Sequence, residues 1–154
     1  MSAPDETSKI IRLDKYWPYL ITVVSDRIAR RTSKIVKEHG GINLSQWRVM
    51  AAIGDMPGRT SVEVVTITPM DKGIVSRATK GLLTQGLVVR RASQSDGRIS
   101  HLYLTPKGKE VYESLIPKVE GVLSRAAETL SDDDQKRLGQ YLGQLMGVIP
   151  DQRD

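Results

Sequence analysis

Lys72, Gly73, Ser76, Arg77 and Lys80 fall on one side of a helical period, and Val75, Ala78 and Leu82 occupy the other. A helix so divided exposes a guanidinium, two ammonium groups and a hydroxyl along one face. Those groups match the acceptor edges displayed in a DNA major groove, with Arg77 placed to read a base and Lys72 and Lys80 suited to phosphates. Ser76 and Gly73 carry little bulk, so they permit close approach. A second positive group follows at Arg90, Arg91 and Arg98, the last directly after Asp96-Gly97. An arginine at a hairpin tip suits a minor groove, where narrow A·T tracts attract positive charge. Asp96 serves two compatible ends there, forming the turn before glycine and orienting Arg98.

Other chemistry is poorly supplied. The chain has no cysteine and only two histidines, His39 and His101, which excludes thiol redox sensing and cysteine-based metal sites. No metal-ligand spacing, phosphate-binding glycine loop or nucleophile with a base is present, so we expect no enzyme, no cofactor and no metal.

The elements that must carry these residues are legible from period and punctuation. A helix is expected from about Lys15 to His39, with Pro18 in its first turn, a stripe of Leu20, Val24, Ile28, Ile35 and Val36, and Gly40-Gly41 at its end. Ser45 is a plausible cap for a second helix, Gln46 to about Asp55, with Trp47, Val49, Met50 and Ile53 in a core. Ser61 and Glu63 open a short helix to Ile67 that turns Val62 and Val65 inward. For the basic helix, Thr68-Pro69 and Asp71 compete as the start, and Gly86 follows the end near Gln85.

Leu87 to Arg91 and Ile99 to Leu104 are β-rich runs around an Asp-Gly turn, with Leu102 and Leu104 facing one way and Ile99, His101 and Tyr103 the other. Thr105-Pro106 opens a helix whose Val111, Leu115, Val119, Val122, Ala126 and Leu130 keep helical spacing through a kink at Pro117. Ser131 and three aspartates start a last helix with Leu138, Tyr141, Leu142, Leu145, Met146 and Ile149 on one side. The fold class is therefore mainly α with a small β-hairpin: a winged helix-turn-helix with helices added at both ends.

Residues 1–57 carry +3, residues 58–109 carry +6 and residues 110–154 carry −4, against +5 for the whole chain. The excess sits on the proposed reading segment, which favours double-stranded DNA as the partner. The first nine residues, Met1 to Lys9, lack an apolar leader segment, and no later run approaches a membrane span, so a cytoplasmic protein without membrane partners is expected. Three parts follow: an N-terminal arm and helix over 1–41, the DNA-binding module over 42–105, and C-terminal helices over 106–154.

Leu44-Ser45-Gln46-Trp47-Arg48-Val49, Asp71-Lys72-Gly73-Ile74-Val75-Ser76-Arg77, Gln85-Gly86-Leu87-Val88, and Asp96-Gly97-Arg98 followed by Leu104-Thr105-Pro106-Lys107-Gly108 stand in an order and spacing that resembles the MarR family of bacterial transcription regulators. The resemblance spans about Leu20 to Leu145. It implies a homodimer whose first and last two helices intertwine as a dimerisation platform, binding a pseudopalindromic operator with half-sites about 10 base pairs apart. The long apolar faces at both chain ends agree, because the reading module is too small to cover them. Two departures stand out: Gly97-Arg98 lies where many relatives have two arginines, and Thr68-Pro69 where Leu-Gly is common.

The resemblance also implies a small-molecule effector, often phenolic or an aromatic acid, in a cleft between platform and module. Tyr16, Trp17, Tyr19, Arg31, His39, Trp47 and Arg48 are the candidate effector-binding residues, as aromatic walls and polar or cationic partners. Each has a plainer structural role open to it: Trp47 in the core, Arg31 and Arg48 in ion pairs, His39 at a helix C-terminus. The expected function is a repressor released from its operator by ligand; the competing class is a winged helix used for protein contacts.

Overall fold

The computed structural model describes residues 10–153; the reading of Met1 to Lys9 falls outside them. Among the described residues seven α-helices and one two-stranded antiparallel hairpin follow in the order α1 (Trp17–Gly40), α2 (Leu44–Asp55), α3 (Ser61–Ile67), α4 (Lys72–Thr84), β1 (Val88–Ala92), β2 (Ser100–Leu104), α5 (Pro106–Glu120), α6 (Ser124–Thr129) and α7 (Asp132–Val148). The class is mainly α with a small hairpin wing.

Local chemistry sets the boundaries. α1 begins two residues later than expected, with Pro18 in its first turn where a missing N–H costs nothing. α2 is capped by Asn43 rather than Ser45: the Asn43 side chain accepts from Gln46 N at 2.8 Å, and the Gln46 side chain accepts from Asn43 N at 2.9 Å. Thr60 and Glu63 form the same reciprocal pair on α3, one residue before the expected cap. The Thr60 amide, which donates to the Glu63 carboxylate, is the main cause that holds this carboxyl below its ordinary value. The shifted cap corrects the facing of α3: Val64 is fully buried, Val65 half-buried and Val62 73% exposed. Between the two starts considered for α4, Asp71 is the cap, accepting from Ile74 N at 2.8 Å, while Thr68 ends α3.

The core joins Val36 of α1, Val49, Met50 and Ile53 of α2, Val64 of α3, Val75, Ala78 and Leu82 of α4, Val88 and Leu102 of the hairpin, and Leu115 of α5. Met70, in the α3–α4 turn, is buried among them. By contrast α7 has no buried residue, and Leu20 and Val24 of the α1 stripe stay exposed. The helix through Pro117 runs on to Glu120 and breaks as a 3-10 turn at Gly121–Leu123. Proline disturbs the turn before it, so the break after Glu120 is not its direct effect; it falls at Gly121, a residue with low helix propensity.

The wing pairs Val88 with Leu104 and Arg90 with Leu102 on the face that meets the helices. The outer edge of β2 is paired with the loop before α3. Leu102 N donates to the Arg59 carbonyl at 2.9 Å, Gly58 N donates to the Leu102 carbonyl at 2.9 Å, and His101 Nδ1 lies 2.7 Å from the Gly58 carbonyl. His101 and Tyr103 are therefore half-buried under the 57–59 loop instead of exposed.

One junction ties α4, the wing and α5 together. Gly86, at φ +69°, turns the chain after α4, and Leu87 N returns to the Leu82 carbonyl at 3.0 Å. Thr105 N then donates to the Leu87 carbonyl at 3.1 Å, and Thr105 Oγ1 to the Gly86 carbonyl at 2.6 Å. A Cβ at Gly108 would sit 1.9 Å from that Leu87 oxygen, so α5 can start here only with glycine in its first turn. Gly108→Ala is expected to lower stability by about 3 kcal/mol, read from the midpoint of urea unfolding. An unchanged midpoint would mean that α5 is not seated against Leu87.

Candidate nucleic-acid interface

α4 buries Val75, Ala78, Thr79 and Leu82 and leaves Lys72, Gly73, Ser76, Arg77 and Lys80 exposed. Asp71 is occupied by the helix amide it caps, which also places a fixed negative group at the positive end of the helix. Arg77 lies over Gly73: a Cβ at Gly73 would be in contact with Arg77 Nη1 and Asp71 Oδ1, each 3.4 Å away. The guanidinium thus lies back along the first turn, the part of such a helix that enters a groove first.

At the wing tip, Ser93 N donates to the Ile99 carbonyl at 2.8 Å and Ile99 N to the Asp96 carbonyl at 3.0 Å. Asp96 Oδ1 accepts from Arg98 N at 3.0 Å and from Arg98 Nε at 3.3 Å. Arg98 is therefore aimed while its side chain remains 92% exposed. Arg90 is exposed opposite Leu102, whereas the Arg91 guanidinium stacks 4.7 Å above the Tyr103 ring. The structure brings every residue named for DNA to two exposed sites, the α4 face and the wing.

A cleft of about 850 Å³ opens between α1, α2 and α7. Leu20, Ile21, Leu142 and Leu145 form much of its apolar wall, and Arg48 is the cationic side chain along it. Of the seven residues named for an effector, Trp17, Trp47 and Arg48 line this cleft; Tyr16, Tyr19, Arg31 and His39 do not. The helical period explains the division. Trp17, Leu20, Ile21, Val24 and Ile28 share the inward side of α1, while Tyr19 projects elsewhere and Arg31 lies beside Val122 instead. Tyr16 precedes the helix, and His39 is exposed in its last turn. Trp47 also packs on Tyr112 with ring centroids 5.4 Å apart, so one side chain supports the core and walls the cleft.

Sequence reasoning missed α7 as a cleft wall, although its apolar side was legible, because spacing reveals a face and not its neighbour. It also missed Arg59, whose Nη1 donates to the Ala52 carbonyl and to Asp55 Oδ2, both at 2.7 Å, and so fixes the loop beneath the wing.

A supporting helix, an exposed basic helix and a basic hairpin packed on one core define a winged helix-turn-helix. A MarR-family model matches residues 40–99. The HTH-type transcriptional regulator BilQ of Clostridium symbiosum is 28% identical over 113 residues, covering 73% of this chain and 77% of that protein. The structure of a MarR-family transcriptional regulator from Silicibacter pomeroyi superposes with a TM-score of 0.79 at 25% identity, over 92% of this chain and 96% of that one. Bordetella bronchiseptica BpsR, whose DNA binding is regulated by 6-hydroxynicotinic acid, shares the fold with a TM-score of 0.75 at 19% identity, over 92% of this chain and 99% of that one. The family model, the curated transcriptional regulators and the solved structures together support a winged-helix regulator of the MarR type, a family whose members are transcription regulators and not enzymes. Among the described residues no helix is long and apolar enough to cross a membrane.

The wing geometry makes Asp96 a test of preorganisation. Asp96→Ala is expected to change global stability by less than about 0.5 kcal/mol, since the tip is exposed. It should nevertheless speed amide exchange at Arg98, whose N–H loses its acceptor; protection at Arg98 equal to that of the unaltered chain would refute the orienting role.

Proposed function

We propose that the chain acts as a homodimeric repressor that binds a pseudopalindromic operator through α4 and the wing and leaves it when an aromatic acid occupies the cleft. The observation that carries this reading is the α4 face: Lys72, Ser76, Arg77 and Lys80 exposed together, opposite a fully packed apolar side. Arg77 reads a base edge in the major groove, Ser76 and Gly73 permit close approach, Lys72 and Lys80 contact phosphates, and Asp96 holds Arg98 toward the minor groove with Arg90 on the flanking backbone. The proposed division of labour is reading by 42–105 and dimerisation by 1–41 and 106–154.

The dimer is supported by apolar surface that one copy leaves in water. Trp17, Leu20, Val24, Leu138, Tyr141, Leu142, Met146 and Ile149 are exposed in the single chain, Met146 by 77%. Gly139, Gly143 and Gly147 recur at every fourth residue of α7 with open space where a Cβ would go, which flattens the helix for close approach by another. A second copy related by a twofold axis covers both faces and sets two recognition helices about 34 Å apart, one turn of DNA.

BpsR's response to an aromatic acid, together with the aromatic walls Trp17 and Trp47 and the cationic Arg48 of this cleft, supports an effector of the same chemistry. Ligand binding shifts the population between two spacings of the recognition helices, by no more than its differential affinity for them.

Selection of duplexes from a random pool tests the reading directly, with a twofold-symmetric consensus as the expected result. Arg77→Ala should then cost about 1–3 kcal/mol and relax discrimination at one base pair per half-site, whereas Lys72→Ala should weaken all sequences alike and reduce the salt slope by about 1. Unchanged affinity and salt dependence in both variants would end the DNA assignment at these residues. Leu142→Glu should yield monomers in sedimentation at micromolar concentration and lose the symmetric site; a dimer unaffected by this charge would remove α7 from the interface.

A further inference from the structure

The segment after α7 returns to the reading head. Arg153 Nη1 donates to the Thr68 carbonyl and to the Met70 carbonyl, the latter at 2.7 Å. The rest of its guanidinium is held by Asp151, whose Oδ1 accepts from Nε at 2.9 Å and whose Oδ2 accepts from Nη2 at 2.6 Å, while Arg153 N also donates to Oδ1 at 3.1 Å. The Arg153 side chain is 29% exposed and reaches across more than eighty residues of sequence to do this.

The position of these contacts is informative. Thr68 is the residue that ends α3, and its carbonyl follows the last turn of that helix, where negative partial charge gathers and helical amides no longer reach. Met70 is buried, and Asp71 immediately after it caps α4. Pro69 between them has its φ fixed by its ring. Two carbonyls of one stiff turn, on either side of that proline, are thus tied to one planar guanidinium, and a planar fork with several donors fixes direction as well as distance. The carboxylate of Asp151 fixes the guanidinium in turn. Its hydrogen bonds from Arg153 hold the Asp151 carboxyl at about 2, so the pair stays ionised through the whole neutral range.

We infer that Asp151 and Arg153 form a clamp that ties the segment following α7 to the α3–α4 turn and thereby sets the angle at which α4 presents Ser76 and Arg77. Arg153 is a positioning residue, acting on DNA only through the turn it holds. Because Leu138, Leu142 and Leu145 of α7 wall the apolar cleft, the clamp gives the cleft a direct mechanical connection to the recognition helix. For its effect on DNA the inference rests on the proposed reading by α4; for its effect on the turn it does not.

Two measurements on the full chain separate these. Without DNA, Arg153→Ala is expected to raise amide exchange at Met70 to Val75 about tenfold, with protection in α2 unchanged, and Arg153→Lys, which can still reach one carbonyl, to restore part of it. Asp151→Asn should move the same amides in the same direction by less. With DNA, Arg153→Ala should lower affinity about tenfold for a duplex selected by the unaltered chain, while affinity for a scrambled duplex and the salt slope stay the same. Exchange at the turn equal to that of the unaltered chain overturns the clamp. Equal loss on selected and scrambled duplexes, with a slope lower by about 1, also overturns it, making Arg153 a phosphate ligand. If the unaltered chain selects no sequence, the DNA reading fails while the exchange comparison still decides the clamp.

Discussion

The rest of the structure depends on the burial of one side of α4. Val75, Ala78 and Leu82 are packed against Val49, Met50 and Ile53 of α2 and Val64 of α3 in a single cluster, and none of them can be turned toward water without losing that cluster. Fully burying a side chain of this size is worth about 1.5–3 kcal/mol, so the rotation of α4 about its own axis is strongly determined. The polar side then has only solvent to face. The basic character of that side is consequently presented and not merely present, and the elements at either end serve to hold it: Met70 and the Asp71 cap before it, the Gly86 turn and the Leu87 junction after it.

Much of this was legible because helices and hairpins announce themselves by period and by the residues that stop them. The inward triad of α4, the Pro18 and Pro106 helix starts and the Asp96-Gly97 turn all follow from local rules that tertiary packing did not override. Errors arose where two local rules competed. Ser45 and Asn43 are both good caps, and Asn43 wins because Gln46 stands three residues later and closes the reciprocal pair. The same rule, applied one residue late at Ser61 instead of Thr60, pointed Val62 inward in place of Val64. Thr79 lay outside every pattern: it is buried on α4 with its hydroxyl unpartnered, a cost that no spacing rule anticipates.

The site divides along the same line. Candidate residues exposed by their own element, such as Arg77 on a helix face or Arg98 at a turn, were placed by period and turn chemistry. Residues defined by a meeting of distant elements were not. Trp17, Trp47 and Arg48 reach the cleft because α1, α2 and α7 converge there; the period of α1 sets Tyr19 and Arg31 off the Trp17 side, but only the convergence says that the Trp17 side is the one that lines a cleft. Arg153 is the extreme case, since its partners are main-chain carbonyls, which carry no side-chain signature at all.

α1 shows why control of such a reader falls naturally to its apolar surface. It is one helix of 24 residues, about 36 Å long, buried at Thr32 and Val36 near its C-terminal end and exposed at Trp17, Leu20 and Val24 near the other. Its packed end moves with the core that carries α4; its open end answers to whatever covers it. A small rotation imposed at the open end is carried by a stiff helix to the packed end, because close-packed interiors transmit displacement and do not absorb it. The cleft lies along that open half, with α7 as its far wall, so an occupant there acts on the part of the molecule least committed to the core. On the proposed reading, an occupant that converts nearly all molecules from one arrangement to the other must prefer the second by about 5.5 kcal/mol, and the aromatic walls Trp17 and Trp47 with the cationic Arg48 are the groups of the cleft that could supply such a preference.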